Sequence, residues 1–369
     1  MRKSLIISLL LVVLVTCGAR AQLLSKGINA ELKGLTDLAE SYYRQAADTN
    51  VTARLRLGLL LETCEHYHDA VKWLIQADSS ATAMSHLAAC MAETRDWEGA
   101  QLAAEKAIEL ATDSDTFNKA SAMGTLALVF CNEGNYTNAN IWIKKALAEE
   151  PESARLQNIT GIILYRRGNE NDAIKAFRKA LKLDPRNTDS YFNLGTIYCY
   201  RGNHDLAITT LRKGLKDNRK SVKLLYCLGW ACKLKGDYAN ALECLESVIH
   251  IDSNYVNAYN RMGDIYFERG EFNHAIERYR KAIKISPNNT EAYRLLGRTH
   301  AEVQQYHKAL HFYQKAVEID KNDAETFHEI AELYGRQKQT AREKANHRRA
   351  AKLGHHASQQ WCAKNGITY

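Results

Sequence analysis

The sequence predicts an all-α solenoid built from stacked helix-turn-helix units, on three observations. First, the stretch "MGDIYFERGEFNHAIERYRKAIKISP" (262–287) recurs 34 residues upstream as "LGWACKLKGDYANALECLESVIHID", and before that as "LGTIYCYRGNHDLAITTLRKGLKD". Second, small residues return at fixed places of this 34-residue frame. The eighth place reads Gly58, Ala88, Ala127, Gly161, Gly195, Gly229, Gly263, Gly297 and Ala331, and the twentieth is alanine from Ala70 through Ala309. Third, all three prolines, Pro151, Pro185 and Pro287, occupy the thirty-second place. Small residues let two helix backbones approach, large ones such as Tyr266 and Tyr279 fill the hollows beside them, and a proline stops the second helix of a unit. One such pair cannot bury its own apolar face, so stacked neighbours share a continuous core.

The elements follow in order. Residues 1–21 have the layout of a secretory signal peptide: Arg2 and Lys3, the apolar run "LIISLLLVVLV", and the small residues of "ARA" before Gln22. The apolar run is too short to span a bilayer comfortably. A lipoprotein is the minor alternative, with Cys17 of "LVTC" as acceptor, although Thr16 stands where such motifs carry a small residue. Residues 22–50 are expected to be a partial repeat or cap, with "LTDLAESYYRQAADTN" as the second half of a unit. Repeats fill 51–353 as units 51–80 (four residues short), 81–114 (followed by a five-residue insertion), 120–153, 154–187, 188–221, 222–255, 256–289, 290–323 and 324–353. Each divides around a turn such as "RGEF" or "KGDY". In the last unit Glu343 replaces the expected alanine, so its register slips. The tail 354–369 reads as a capping helix that ends at "NG".

This pattern of period and small and large places resembles the tetratricopeptide repeat. The resemblance covers roughly 51–353 and implies a right-handed superhelical solenoid whose first helices line a concave, ligand-binding face. Carried onto this chain, the family's groove-facing places give Asn158, Ile162, Tyr165, Phe192, Tyr200, Tyr226, Trp230, Lys233 and Phe267, with Arg294 and Arg298 among the basic neighbours. Aromatic and Arg side chains are the types enriched at binding hot spots. Two of the family's known uses are not built. The carboxylate clamp of chaperone-tail binders would need a Lys/Asn set where 154–255 reads Asn158, Ile162, Asn193, Lys223 and Cys227. The asparagine ladder of sugar-transferring members has no counterpart, because the sixth place runs Ile159, Asn193, Cys227, Arg261 and Leu295.

Catalytic and cofactor motifs are missing: there is no P-loop, dinucleotide-type glycine loop, GxSxG or HExxH. "HEIAE" at His328 lacks the second histidine, and a solvated basic helix accounts for His347, His355 and His356, so no catalytic residue, metal site or cofactor is expected. Of the nine cysteines, Cys17 leaves with the leader; Cys232 with Cys244 is the one disulfide candidate, and buried thiols acting as apolar filler are the favoured account. Charge is uneven. Residues 22–153 hold 11 Lys/Arg against 19 Asp/Glu, while 154–369 hold 36 against 23. That surplus suits an acidic protein segment or an anionic surface better than nucleic acid in an exported protein. The expected function is an exported, non-enzymatic protein-interaction scaffold that takes a partner peptide or domain in its groove. The alternative is a cell-envelope carrier or assembly factor that binds glycan or another anionic polymer.

Overall fold

The structure, a computed structural model, describes residues 22–369. The expected signal peptide, 1–21 with Cys17, lies outside the described residues. The described residues form helices and no strand, in two compact units, one ending at Leu194 and one running Gly195–Tyr369.

The first unit contains α1 (22–32), α2 (Thr36–Ala47), α3 (Val51–Thr63), α4 (Tyr67–Leu74), α5 (Ala81–Glu93), α6 (Trp97–Leu110), α7 (Thr116–Asn132), α8 (Tyr136–Glu149), α9 (Ala154–Arg166) and α10 (Glu170–Leu183). The unit boundary falls inside α11 (Thr188–Tyr200). The second unit continues with α12 (His204–Gly214), α13 (Val222–Lys235), α14 (Tyr238–Ile251), α15 (Val256–Glu268), α16 (Phe272–Ile285), α17 (Thr290–Glu302), α18 (Tyr306–Ile319), α19 (Ala324–Arg336), α20 (Thr340–Lys352) and α21 (His356–Lys364).

Steric fit explains the repeat. A Cβ added at Gly161 would lie 2.5 Å from the Phe177 ring, and one at Gly297 would lie 2.7 Å from Tyr313, so nothing larger than hydrogen fits at the eighth place there. The residue it meets is always the one sixteen positions on, at the twenty-fourth place. The alanines of the twentieth place, such as Ala173, Ala241, Ala275 and Ala309, are fully buried. Starts and stops are local. The Asn50, Ser80, Ser153, Ser221 and Asn289 side chains each accept a hydrogen bond from the backbone N–H three residues on. Pro151, Pro185 and Pro287 each stand two residues beyond the end of a second helix.

One detail differs from the sequence reading, and two show where the expected insertion and shortfall fall. Residues 22–50 hold a complete helix pair, because Gly27 in α1 faces Tyr43 in α2 (an added Cβ would be 2.5 Å from the ring) just as Gly58 faces Leu74. The insertion after 114 lengthens α7 by a turn at its N-terminus, capped by Asp115. The four residues missing from 51–80 shorten α4 to eight residues.

Candidate functional site

Within the second unit, the first helices α11, α13, α15 and α17 carry the expected site residues. Trp230 is half-buried, and Tyr200, 71% exposed, meets its ring edge-on with centroids 5.2 Å apart. Tyr226 is half-buried; its hydroxyl accepts from Arg261 Nε at 3.2 Å and its ring leans on Tyr255 at 5.3 Å. Phe267 is covered by the Arg298 guanidinium, 4.6 Å from the ring centroid, and touched edge-on by Phe272.

The expected positive border is neutralised. Lys233 Nζ binds Glu268 at 2.6 Å, and the same carboxylate accepts from Tyr238 Oη at 3.2 Å. Arg294 stands 4.0 Å from Glu329. Helices α13, α15, α17 and α19 carry seven Lys/Arg and seven Asp/Glu, whereas the second helices α12, α14, α16, α18 and α20 carry thirteen and six. The basic surplus of the C-terminal half therefore lies on the second helices, not on the face expected to bind.

In the first unit Ile162, Tyr165 and Phe192 are half-buried. Asn158 is buried: its Oδ1 accepts from Ser190 Oγ at 3.1 Å and Asn193 Nδ2 at 3.0 Å, so this side chain ties α9 to α11 rather than facing a ligand.

All eight cysteines in the described residues are free thiols, Cys232 and Cys244 included. Burial pushes Cys244 up to about 12. Sequence spacing missed a contact between Cys199 and Cys227, whose mutual hydrogen bond, with burial, holds the Cys199 thiol above its ordinary range.

The last unit holds a pocket of about 360 Å³ lined by α17, Tyr313 and α19, with Glu325, His328, Glu329 and Glu332 among its walls. Behind it, His347 is not a solvated residue of α20. The register of the last unit does not slip at Glu343, because Ala350 is buried at the twenty-seventh place and His347 at the twenty-fourth, where the preceding units put Phe177, Leu211, Leu245, Tyr279 and Tyr313; His347 is stacked on Trp361 of α21 at 4.1 Å. Burial lowers its pKa to about 4, which keeps the ring neutral. The capping helix thus closes the last pair through an aromatic stack.

Family signatures described as "TPR repeat" match residues 161–198 and 263–304, and ones described as "Tetratricopeptide repeat" match 192–255 and 290–323. No curated protein matches the chain. Among solved structures, the chain is similar to MamA (30% identity, 45% of this chain and 96% of that one, TM-score 0.40). It is also similar to pilF of Pseudomonas aeruginosa (20% identity, 57% and 96%, TM-score 0.50) and to the Cut9–Hcn1 tetramer of the APC/C (14% identity, 95% and 96%, TM-score 0.50). At these low identities the last two likenesses show the fold alone.

Proposed function

Because this chain is a tetratricopeptide-repeat protein, we propose that it is an exported, non-enzymatic scaffold whose first helices bind a peptide or domain of a partner protein. The observation that carries this reading is the aromatic group on α11, α13 and α15: Tyr200, Trp230, Tyr226 and Phe267 are left partly open on helices whose opposite sides are fully packed. Large amphipathic rings that stay half-exposed while their neighbours are buried are what an anchor pocket needs. Since Lys233 and Arg294 are already paired, recognition depends on apolar anchors more than on charge, and the partner need not be acidic. Export rests on the leader at 1–21. A cut before Gln22 would leave α1 and its Gly27–Tyr43 contact whole.

The test uses the mature chain as bait in native envelope or secreted material, alongside Trp230→Ala and Tyr200→Ala. Loss of a hot-spot aromatic costs about 2 kcal/mol or more, so a partner held here should be lost from both variants. Tyr200 is mostly exposed, so its variant should melt with the wild type. Retention of the partner by both variants, or a collapse in melting temperature for Trp230→Ala with binding intact in Tyr200→Ala, would remove the site. N-terminal sequencing of the exported form should read "QLLSKG"; an intact Met1 or a lipid at Cys17 would overturn simple export.

A further inference from the structure

The end of the second unit brings three histidines around one hydroxyl. Ser358, fully buried in α21, has its Oγ 3.1 Å from His328 Nδ1, 3.1 Å from His347 Nδ1 and 3.2 Å from His355 Nδ1. A hydroxyl has one proton to give and two lone pairs to receive with. The Ser358 backbone N–H donates to His355 Nδ1, which makes that nitrogen an acceptor, while His355 Nε2–H is directed to Glu325 Oε2 at 3.2 Å. The assignment that leaves no two acceptors facing each other at Ser358 sends its proton to His355, whose one Nδ1 lone pair is then shared with the backbone N–H, and lets His328 and His347 each donate Nδ1–H to Ser358. Both of those rings then present a bare Nε2 lone pair.

For His347 the consequence is sharp. Its Nε2 is buried with no hydrogen-bond partner, and it stands 3.4 Å from Glu332 Oε1. A lone pair facing a carboxylate oxygen is two acceptors in opposition, and it needs a positive centre between them. A ring nitrogen of His328, a carboxylate oxygen of Glu332 and a ring nitrogen of His347 lie within 4.8 Å of one another. His328 and Glu332 are one turn apart on α19, and His347 comes from the facing side of α20.

We propose that His328, Glu332 and His347 form a binding site for a zinc-type divalent transition metal. Zinc bonds of about 2.0–2.1 Å in a tetrahedron set ligand atoms roughly 3.3 Å apart. The Glu332–His347 edge already has that length, and the remaining closure, at most about 1.5 Å, is within reach of side-chain torsions. Two imidazoles and one carboxylate select zinc-class ions over magnesium or calcium, which prefer all-oxygen shells. Donation of Nδ1–H to Ser358 is the outer contact that fixes the tautomer and orientation of a metal-binding imidazole. Three protein ligands leave a fourth position for water, on the side where Glu332 is half-exposed. An ion here would join α19 to α20 and, through Ser358, to the capping helix.

The experiment uses the tag-free mature chain, stripped with a chelator and titrated with zinc chloride against a chromophoric competitor, then separately with cobalt(II), magnesium and calcium. One zinc should bind per chain and raise the melting temperature, cobalt should show the intense visible bands of four-coordination, and magnesium and calcium should do neither. Glu332→Gln and His328→Gln remove side chains that are not buried cores, and each should lower zinc affinity at least tenfold while the metal-free melt stays near wild type. Ser358→Ala should lower it about 10–100-fold through the lost outer contact. Exposed His250→Ala should change nothing. The proposal is overturned by the absence of saturable zinc uptake, which would leave a shared proton as the bridge, or by uptake that survives both Glu332→Gln and His328→Gln.

Discussion

At the residue scale, the informative positions are those where one unit departs from the others. His347 is the clearest: the sequence of α20 is polar on most of its circumference, so a solvated helix was the natural expectation. The signal that could have found it was the twenty-fourth place, where a large side chain recurs opposite each small eighth-place residue. Lys233 illustrates the converse. Its charge was legible but its cancellation was not, because Glu268 lies in the next unit and the two meet only when the units stack. His300 offers a test of burial at this scale. It is 2% exposed, its Nδ1 is 3.0 Å from Gln305 Oε1, its Nε2 has no partner, and it stacks on Phe312. Burial, with Lys308 and Arg280 nearby, lowers its pKa below the ordinary 6.5. With the folded pKa below the unfolded one, the unfolded chain takes the proton first. The stability that neutral His300 supports is therefore present above about pH 6.5 and drains as pH falls toward the folded value. Unfolding free energies measured from pH 7.5 to 5 should fall more steeply for the wild type than for His300→Leu. Parallel curves would show that His300 does not contribute to the acid slope.

At the element scale, the turns between paired helices follow one rule with four exceptions. The fifteenth place of a unit is left-handed throughout, filled by Gly134, Gly168, Gly202, Gly236 and Gly270, with φ between 74° and 83°. Glu65, Arg95, Gln304 and Lys338 hold the same place with φ of 63°, 63°, 59° and 58°. A residue with a Cβ pays about 1–2 kcal/mol to adopt that conformation, partly offset because glycine loosens the unfolded chain. Gln304→Gly and Lys338→Gly should each raise unfolding stability by about 0.5–1 kcal/mol, read by urea denaturation with an unchanged slope. A loss of stability in both would show that their side chains support the turn. The helix pairs themselves were legible because the small, large and proline places recur many times. The pair α1–α2 was legible only in half: Gly27, Ala39 and Ala46 fit the eighth, twentieth and twenty-seventh places of a frame beginning at residue 20, but that frame overlaps the leader, which masked its first helix.

At the scale of the whole molecule, stability is carried by contacts between helices that are neighbours, or next neighbours, along the chain within each unit. This is the property that makes a repeat array behave as a one-dimensional system, in which a defect is felt most by adjoining repeats. Ala241 in α14 is a suitable place to insert one. It is fully buried, and its carbonyl oxygen would lie 3.2 Å from a Cβ at Gly229, so the α13 and α14 backbones are at close approach. Ala241→Leu has no void to occupy and must part the two helices, at a cost of about 1–3 kcal/mol for overpacking. Native-state hydrogen exchange should then show protection lost in α13 and α14, reduced in α12, α15 and α16, and unchanged in 51–153 and in α19–α21. The aromatic group at Tyr226 and Trp230 lies on the displaced helix, so partner capture should weaken with it, while zinc uptake at His328, Glu332 and His347 should not. A uniform loss of protection across the chain would mean that the repeats unfold as one cooperative body, and that the two sites cannot be perturbed separately.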